Sequence, residues 1–290
     1  MAIVGLVVHH GRPLAGELAR LAARWLEEQG HEVRVPADDG AVVTGLGSWS
    51  TVEGAFAEGL GLAVSIGGDG TMLRAVRLVS DTATPVLGVN VGHLGYLTEV
   101  EPGRWREALV RVLAGDYDVE ERMTLDVSLL NPDGVVRSRC AALNDAVVEK
   151  LEAGHTVRVG VTVSGRPAMS YAADALIVAS PTGSTAYNLS AGGPLVSPRL
   201  GALVVTPVAP HSLFGRAMVV APDEVVRVEV LAGSAILGVD GRRLDALSAG
   251  DVVECRAAAG PARLVTFGDR DFWGVLTTKF SLNGSGSGSA

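Results

Sequence analysis

Lysine is almost missing from this 290-residue chain: of 24 basic residues, only Lys150 and Lys279 are lysines. No G-x-x-x-x-G-K-[ST] segment occurs, so a P-loop lysine is excluded as the means of gripping a phosphate. Cysteine is scarce as well. Cys140 and Cys255 form no metal-spaced cluster and argue against a disulfide-stapled secreted fold, so a cytoplasmic protein with reduced thiols is expected. No window approaches the roughly 18 apolar residues of a membrane span, so no membrane partner is expected. The apolar start, AIVGLVVH, has no basic region before it and no small-residue cleavage site after it, and reads as a buried strand. The net charge of −8 excludes a broad basic face for nucleic acid, though not a local basic pocket. Aromatics make up 4% against 48% hydrophobic residues, so the core must be built from Val, Leu and Ala.

What is present divides into two halves. Residues 2 to about 115 alternate strands and helices: AIVGLVVH, HEVRVP, LAVSI and TPVLGVN read as strands. Leu14, Leu18, Leu21 and Trp25 recur at helical spacing ahead of a C-capping Gly30. Further helices are expected from Thr71 to Val79 and over GRWREALVRVLAG. This order predicts a Rossmann-like α/β domain with a parallel sheet. From about Glu120 the period falls to two. Met123, Leu125, Val127 and Leu129 share one face, as do Val157, Val159, Val161 and Val163, and again Val226, Val228 and Val230. That pattern predicts an all-β, sandwich-like domain. The expected boundaries are 1–119 for the α/β domain, 120–268 for the β domain, 269–282 for a segment returning to the first domain, and 283–290 for a flexible Gly-Ser tail. A cleft between two such domains is a common ligand site.

Three clusters carry candidate chemistry. SIGGDGTML follows a strand and opens a helix, at the carboxyl end of a parallel sheet, where such folds bind ligands. Gly67, Gly68 and Gly70 permit close backbone approach and positive φ. The amides of Gly70, Thr71 and Met72 are expected to be free helix-start donors for a phosphate, with Arg74 adding a cation one turn on. Asp69 needs its own reason, since an acid repels a phosphate. Alone, the loop fits a capped glycine turn as well as a phosphate site. The second cluster is Asn144-Asp145, an amide and a carboxylate in an apolar setting, suited to a turn or to a ligand's hydroxyls. The third runs from Asp174 to Pro198. Its strand enters a block holding Thr182, Ser184, Thr185, Ala186, Tyr187 and Ser190, a density of hydroxyls and glycines that suits phosphate and ribose. His93, His155 and His211 are lone histidines, of which His93 follows the fourth strand at the glycine-loop end.

Together, GGDGT, LND and SPTGSTAYNLSAGGPLVSP resemble the ATP- or polyphosphate-dependent NAD kinases, with GVNVGHLGYL and VAPHSLFGRAMVV as supporting phrases. The resemblance spans about residues 2 to 282, and the Arg-rich composition is similar to actinobacterial members. The GGDG loop alone is shared with lipid kinases; the Thr-Gly-Ser-Thr-Ala-Tyr block is far more specific. The resemblance implies phosphorylation of the 2′-hydroxyl of the adenosine ribose of NAD to give NADP. It implies ATP or inorganic polyphosphate as donor, Mg²⁺ or another divalent cation held through phosphates with no protein ligand, and a homodimer or homotetramer. It makes Asp69 the general base and gives phosphate contacts to Gly67, Gly68, Gly70 and Arg74. Asn144 and Asp145 hold the ribose and diphosphate region, the block from Thr185 to Ser190 surrounds adenine, and Asp174 and His155 contact the dinucleotide. This chain departs from the family in Asn-Asp for the commoner Asn-Glu, and in His93 and Tyr96 within GHLGYL. The alternatives are a small-alcohol or lipid kinase with the same loop, and a non-catalytic NADP(H) sensor. A lipid kinase would need a membrane-facing basic or aromatic patch, which the sequence does not offer.

Overall fold

The structure, a computed structural model, describes residues 1–52, 54–92, 95–152, 154–212, 214–268 and 272–279. The chain forms two compact units, Met1–Glu121 together with the segment from Arg263 onward, and Arg122–Ala262. The first contains β1 (Ile3–Val8), α1 (Pro13–Glu28), β2 (Glu32–Arg34), α2 (Ala37–Val42), β3 (Leu62–Gly67), α3 (Asp69–Leu78), β4 (Val86–Asn90), α4 (Trp105–Leu113) and β5 (Asp118–Arg122). The second contains β6 (Leu125–Leu130), β7 (Val136–Ala142), β8 (Asp145–Lys150), β9 (Val157–Val163), β10 (Arg166–Ala173) and β11 (Ala175–Ala179), then α5 (Tyr187–Ser190). It continues with β12 (Leu203–Val208), β13 (Met218–Val220), β14 (Val226–Ala232), β15 (Ala235–Val239), β16 (Arg242–Leu247) and β17 (Val252–Ala257). Finally β18 (Ala262–Thr266) and α6 (Phe272–Lys279) return to the first unit.

The first sheet has the order β2-β1-β3-β4-β18-β5, with β1, β2, β3, β4 and β18 in parallel pairings. Its strands β1 and β3 are buried nearly throughout, as expected for strands covered on both faces. The buried face of α1 differs from the expected one. Ala15, Leu18, Ala19, Ala22, Ala23 and Leu26 pack on the sheet, while Leu14 and Leu21 are exposed. Alanines allow the helix to lie close, and a scan for large apolar residues passes over them. The return also starts earlier than residue 269. Leu264 and Val265 are buried in the first unit, where β18 pairs with β4 at Leu264 and Val86. A short apolar strand shows its period, not the sheet it joins.

The second unit is a sandwich of two antiparallel sheets, β10-β9-β14-β17-β6-β7 and β13-β12-β11-β8-β15-β16. Leu125, Val127, Val157, Val159, Val226 and Val228 of one sheet share a core with Val148, Leu176, Val178 and Val205 of the other. Each such burial contributes about 1.5–3 kcal/mol. Strand β11, ALIVA, lacks alternation because both its faces are covered: Leu176 and Val178 face the sandwich core, and Ile177 and Ala179 pack with Val196 and Val204.

Candidate functional site

Strand β3 runs directly into α3, and the turn carries the glycine-aspartate loop. Gly68 is the N-cap of α3, with no side-chain cap, and Asp69 is the first helical residue. Asp69 is therefore not the cap of its own helix. Its carboxylate instead accepts the Tyr96 amide at 2.8 Å and the Leu97 amide at 3.0 Å, from the chain beyond β4. Gly95 makes this approach possible, since a Cβ there would overlap the Asp69 carboxylate and Thr98 Oγ1. The Lys279 ammonium lies 4.0 Å from Asp69 Oδ2. A fixed carboxylate results, with about a third of its side chain open to solvent.

The glycines act through space and not through unusual backbone. None of Gly67, Gly68 and Gly70 has positive φ. A Cβ on Gly67 would overlap the Thr71 side chain, whereas one on Gly68 or Gly70 would meet nothing of the protein. The set of free amides differs from the expected Gly70, Thr71 and Met72, with only Gly70 in common. Thr71 and Met72 both donate to Gly68 O at 3.0 Å, which leaves the amides of Asp69 and Gly70 as donors without an acceptor among the described residues.

A cavity of about 430 Å³ opens over this loop, lined by Val8, His9, His10, Arg12, Gly68, Asp69, Gly70, Thr71 and Arg74. Arg74 is not a free cation. Its guanidinium pairs with the fully buried Asp39 and donates to Val8 O at 3.1 Å. Asp39 also accepts the Val8 amide at 2.7 Å and lies 2.7 Å from His10 Nε2. Arg12, by contrast, packs its guanidinium against Gly92, and among the described residues it donates to no acceptor. His9 Nδ1 accepts the Gly11 amide at 3.0 Å, so the proton of the neutral ring sits on Nε2. Burial, then the charges of Arg12 and His10, hold this imidazole below its usual pKa and keep it neutral. Two helix-start amides, one unpaired guanidinium and a neutral N–H donor make the cavity suited to phosphate.

In the second unit, the hydroxyl block is largely turned inward. Ser184 is fully buried; its Oγ lies 2.7 Å from Pro181 O and 3.1 Å from Val196 O, and accepts the Val196 amide at 3.0 Å. Asn188 donates to Ser184 O and Pro194 O and accepts Thr206 Oγ1 at 2.7 Å. Thr182 Oγ1 accepts Arg122, and Ser180 Oγ donates to Leu143 O. Ser184 and Thr182 are thus structural staples, contrary to a reading of each hydroxyl as a ligand contact. Thr185, Ala186, Tyr187 and Ser190 remain accessible. Gly183 packs so closely on the Asn144 backbone that a Cβ would overlap it, which ties the block to the Asn144-Asp145 turn.

That turn is held by a residue absent from the expected set. Asp240 accepts the amides of Leu143, Asn144 and Asp145 at 2.9, 2.7 and 3.2 Å. Burial, then the charge of Asp240, push the Asp145 carboxyl up to about 7. The Tyr187 phenol is raised by burial first and then by the charges of Glu149, Asp174 and Asp145. Lys150 binds Asp174 at 2.6 Å. His155 is exposed and pairs with Glu152 at 3.0 Å, and exposed His211 is tied by its backbone to Ala172 O. Among the described residues, no hydrogen bond or ion pair joins either histidine to Glu149, Asp174 or Asp145. His93 lies outside the described residues.

Family models for the ATP-NAD kinase N-terminal and C-terminal domains match residues 4–117 and 143–267. The chain belongs to the NAD kinase family. It is 42% identical over 281 residues to an NAD kinase of Heliobacterium modesticaldum, covering 96% of this chain and 98% of that one. It is 40% identical over 316 residues to NAD kinase 1 of Streptomyces avermitilis, covering 96% and 87%. A yeast NADH kinase complexed with NADH shares the fold, with TM-score 0.91 at 24% identity over 100% of this chain and 90% of that one. An NAD kinase from Archaeoglobus fulgidus in complex with ATP superposes with TM-score 0.70 at 25% identity, over 97% and 98% of the two chains.

Several groups gathered at the candidate site of this NAD kinase family member were not among the expected residues. Arg12 carried a signal, since HHGRP directly follows the first strand at the ligand-binding end of the sheet. Asp240 carried one too, in the Asp-Gly dipeptide of a two-residue hairpin between β15 and β16. Asp39 and the Tyr96 and Leu97 amides carried none, because they reach the site only through tertiary contact.

Proposed function

We propose that the protein transfers the terminal phosphoryl group of ATP to the 2′-hydroxyl of the adenosine ribose of NAD, giving NADP and ADP, with Asp69 as general base. NAD kinase activity follows from family membership. The division of roles rests above all on the Asp69 carboxylate, held by two backbone amides on the wall of a cavity suited to phosphate. The 2′-oxygen attacks the terminal phosphorus and a new O–P bond forms. The bridging P–O bond breaks with its electron pair going to ADP, and the hydroxyl proton passes to an Asp69 oxygen. Such a base contributes about 10²–10⁴-fold. Positioning and charge neutralisation carry most of the remainder in phosphoryl transfer.

The Asp69 and Gly70 amides, Arg12 and His9 Nε2–H take the donor's phosphates. These contacts read phosphate and no other part of the donor, so inorganic polyphosphate serves as a second donor. Among the described residues no three His, Cys, Asp or Glu side chains group to hold a metal ion, and two amides already engage Asp69. Mg²⁺ would therefore be held by the donor's phosphates, where it supplies charge neutralisation when bound. In the second unit, Asn144 and Asp145 hold the ribose and diphosphate region, Thr185, Ala186 and Tyr187 flank adenine, and Asp174 contacts the dinucleotide.

The test is to incubate the purified protein with NAD, Mg²⁺ and either ATP or polyphosphate, and to follow NADP with a coupled NADP-specific dehydrogenase. NADP is expected with both donors. No product from polyphosphate removes the second donor. A thermal shift on adding NADP with no product from either donor overturns the kinase in favour of a sensor.

A further inference from the structure

The last helix brings a lysine to the proposed base. Helix α6 docks in the first unit through buried Leu276, and Lys279 lies one turn further on the same face. The Lys279 ammonium sits 3.8 Å from the centre of the Tyr96 ring and 4.0 Å from Asp69 Oδ2. Tyr96 joins the two groups, since its amide donates to that same Oδ2. Burial, then the charge of Asp69, hold the Tyr96 phenol neutral, so its ring face stays available to a cation. The chain's other lysine is committed to Asp174, and Arg74 is committed to Asp39. The remaining charged or titratable groups on the Asp69 cavity are His9, His10 and Arg12, all just beyond β1.

We infer that Lys279 is a positioning residue for Asp69. Its ammonium, seated on Tyr96, fixes the carboxylate in direction, so that the returning C-terminal segment completes the catalytic apparatus of the first unit. The inference rests on Asp69 as the base. An arginine in place of the lysine retains charge and ring stacking and is expected to serve in its stead.

The experiment compares Lys279→Met and Lys279→Arg with wild type, as full chains, by kcat, KM for NAD and ATP, and melting temperature. Lys279→Met is expected to lower kcat about tenfold, roughly the effect of a partly exposed charge on its partner. Both KM values should stay within about twofold, because the ammonium touches the base and its neighbouring ring. Lys279→Arg should restore most of kcat. An unchanged kcat in Lys279→Met, a loss carried by KM in place of kcat, or equal losses in both variants overturns the inference. If Lys279→Met does not fold, kcat and KM of Lys279→Gln decide in the same way. Wild type that makes no NADP would instead sink the reading of Asp69, whereas active wild type with unaffected Lys279→Met would sink only the role of Lys279.

Discussion

The loops at 67–74 and 180–196 each place several glycines and polar groups after a buried strand, yet they use those groups in opposite ways. Around Asp69 the polar groups face an open cavity: among the described residues two amides lack acceptors, Gly68 and Gly70 meet no neighbour, and Arg12 is unpaired. Around Ser184 they face the protein, and Ser180, Ser184, Asn188 and Thr206 satisfy one another and the neighbouring backbone. The difference follows from burial. A covered loop must pair its own donors and acceptors, while an exposed one can leave them for a ligand. Composition marks both loops, and only the fate of each hydrogen bond separates a site from a scaffold.

The largest effect that would sharpen this contrast is expected at Gly95. The change Gly95→Ala forces the Asp69 carboxylate away from its two amides. Misplacing a catalytic group by about 1 Å costs on the order of 10² in rate, so kcat should fall by about that factor with the melting temperature little changed. Retained kcat would show that the position of the carboxylate is immaterial. On the scaffold side, Ser184→Ala leaves the Val196 amide without its acceptor inside the fold. It should lower unfolding free energy by about 1–3 kcal/mol in denaturant titrations, with KM for NAD within about twofold. A large KM effect without loss of stability would make Ser184 a ligand contact and break the comparison.

Arg12→Gln should raise KM for ATP about tenfold, close to one charge-assisted hydrogen bond, and leave KM for NAD alone. Equal effects on both substrates would remove Arg12 from the donor site. The smallest effect concerns Asp145. Its carboxyl is raised in the folded state to about 7 from a usual 3.8, so the unfolded chain loses its proton first as pH rises. The stabilisation from the neutral form is complete below about pH 4 and is lost as pH climbs through 7. Asp145→Asn cannot ionise, so its melting temperature relative to wild type should rise by roughly 3 °C or more between pH 5 and pH 8. A pH-independent difference would contradict the buried, acid-facing setting of Asp145.

Much of the fold was legible because burial leaves a period. Strands covered on both faces, such as β1 and β11, read as unbroken apolar runs, and Val226, Val228 and Val230 alternate because one face is wet. The packing face of α1 was hidden by its alanines, and the sheet membership of β18 by its shortness. In the site, Asp69 and the Asn144-Asp145 turn stood out as acids among apolar or glycine-rich neighbours. What holds them did not. The amides of Tyr96 and Leu97, the carboxylate of Asp240, and the pairing of Arg74 with Asp39 join residues 27 to 97 positions apart, and no local pattern records such contacts.

The central claim is that Asp69 is the base and not a structural acid. Single-turnover formation of NADP by Asp69→Asn, at saturating NAD, ATP and Mg²⁺, tests it most directly. The amide side chain keeps one oxygen acceptor, so the protein should fold and bind both substrates while the chemical step slows by at least about 10²-fold. A rate within a few-fold of wild type would contradict the assignment.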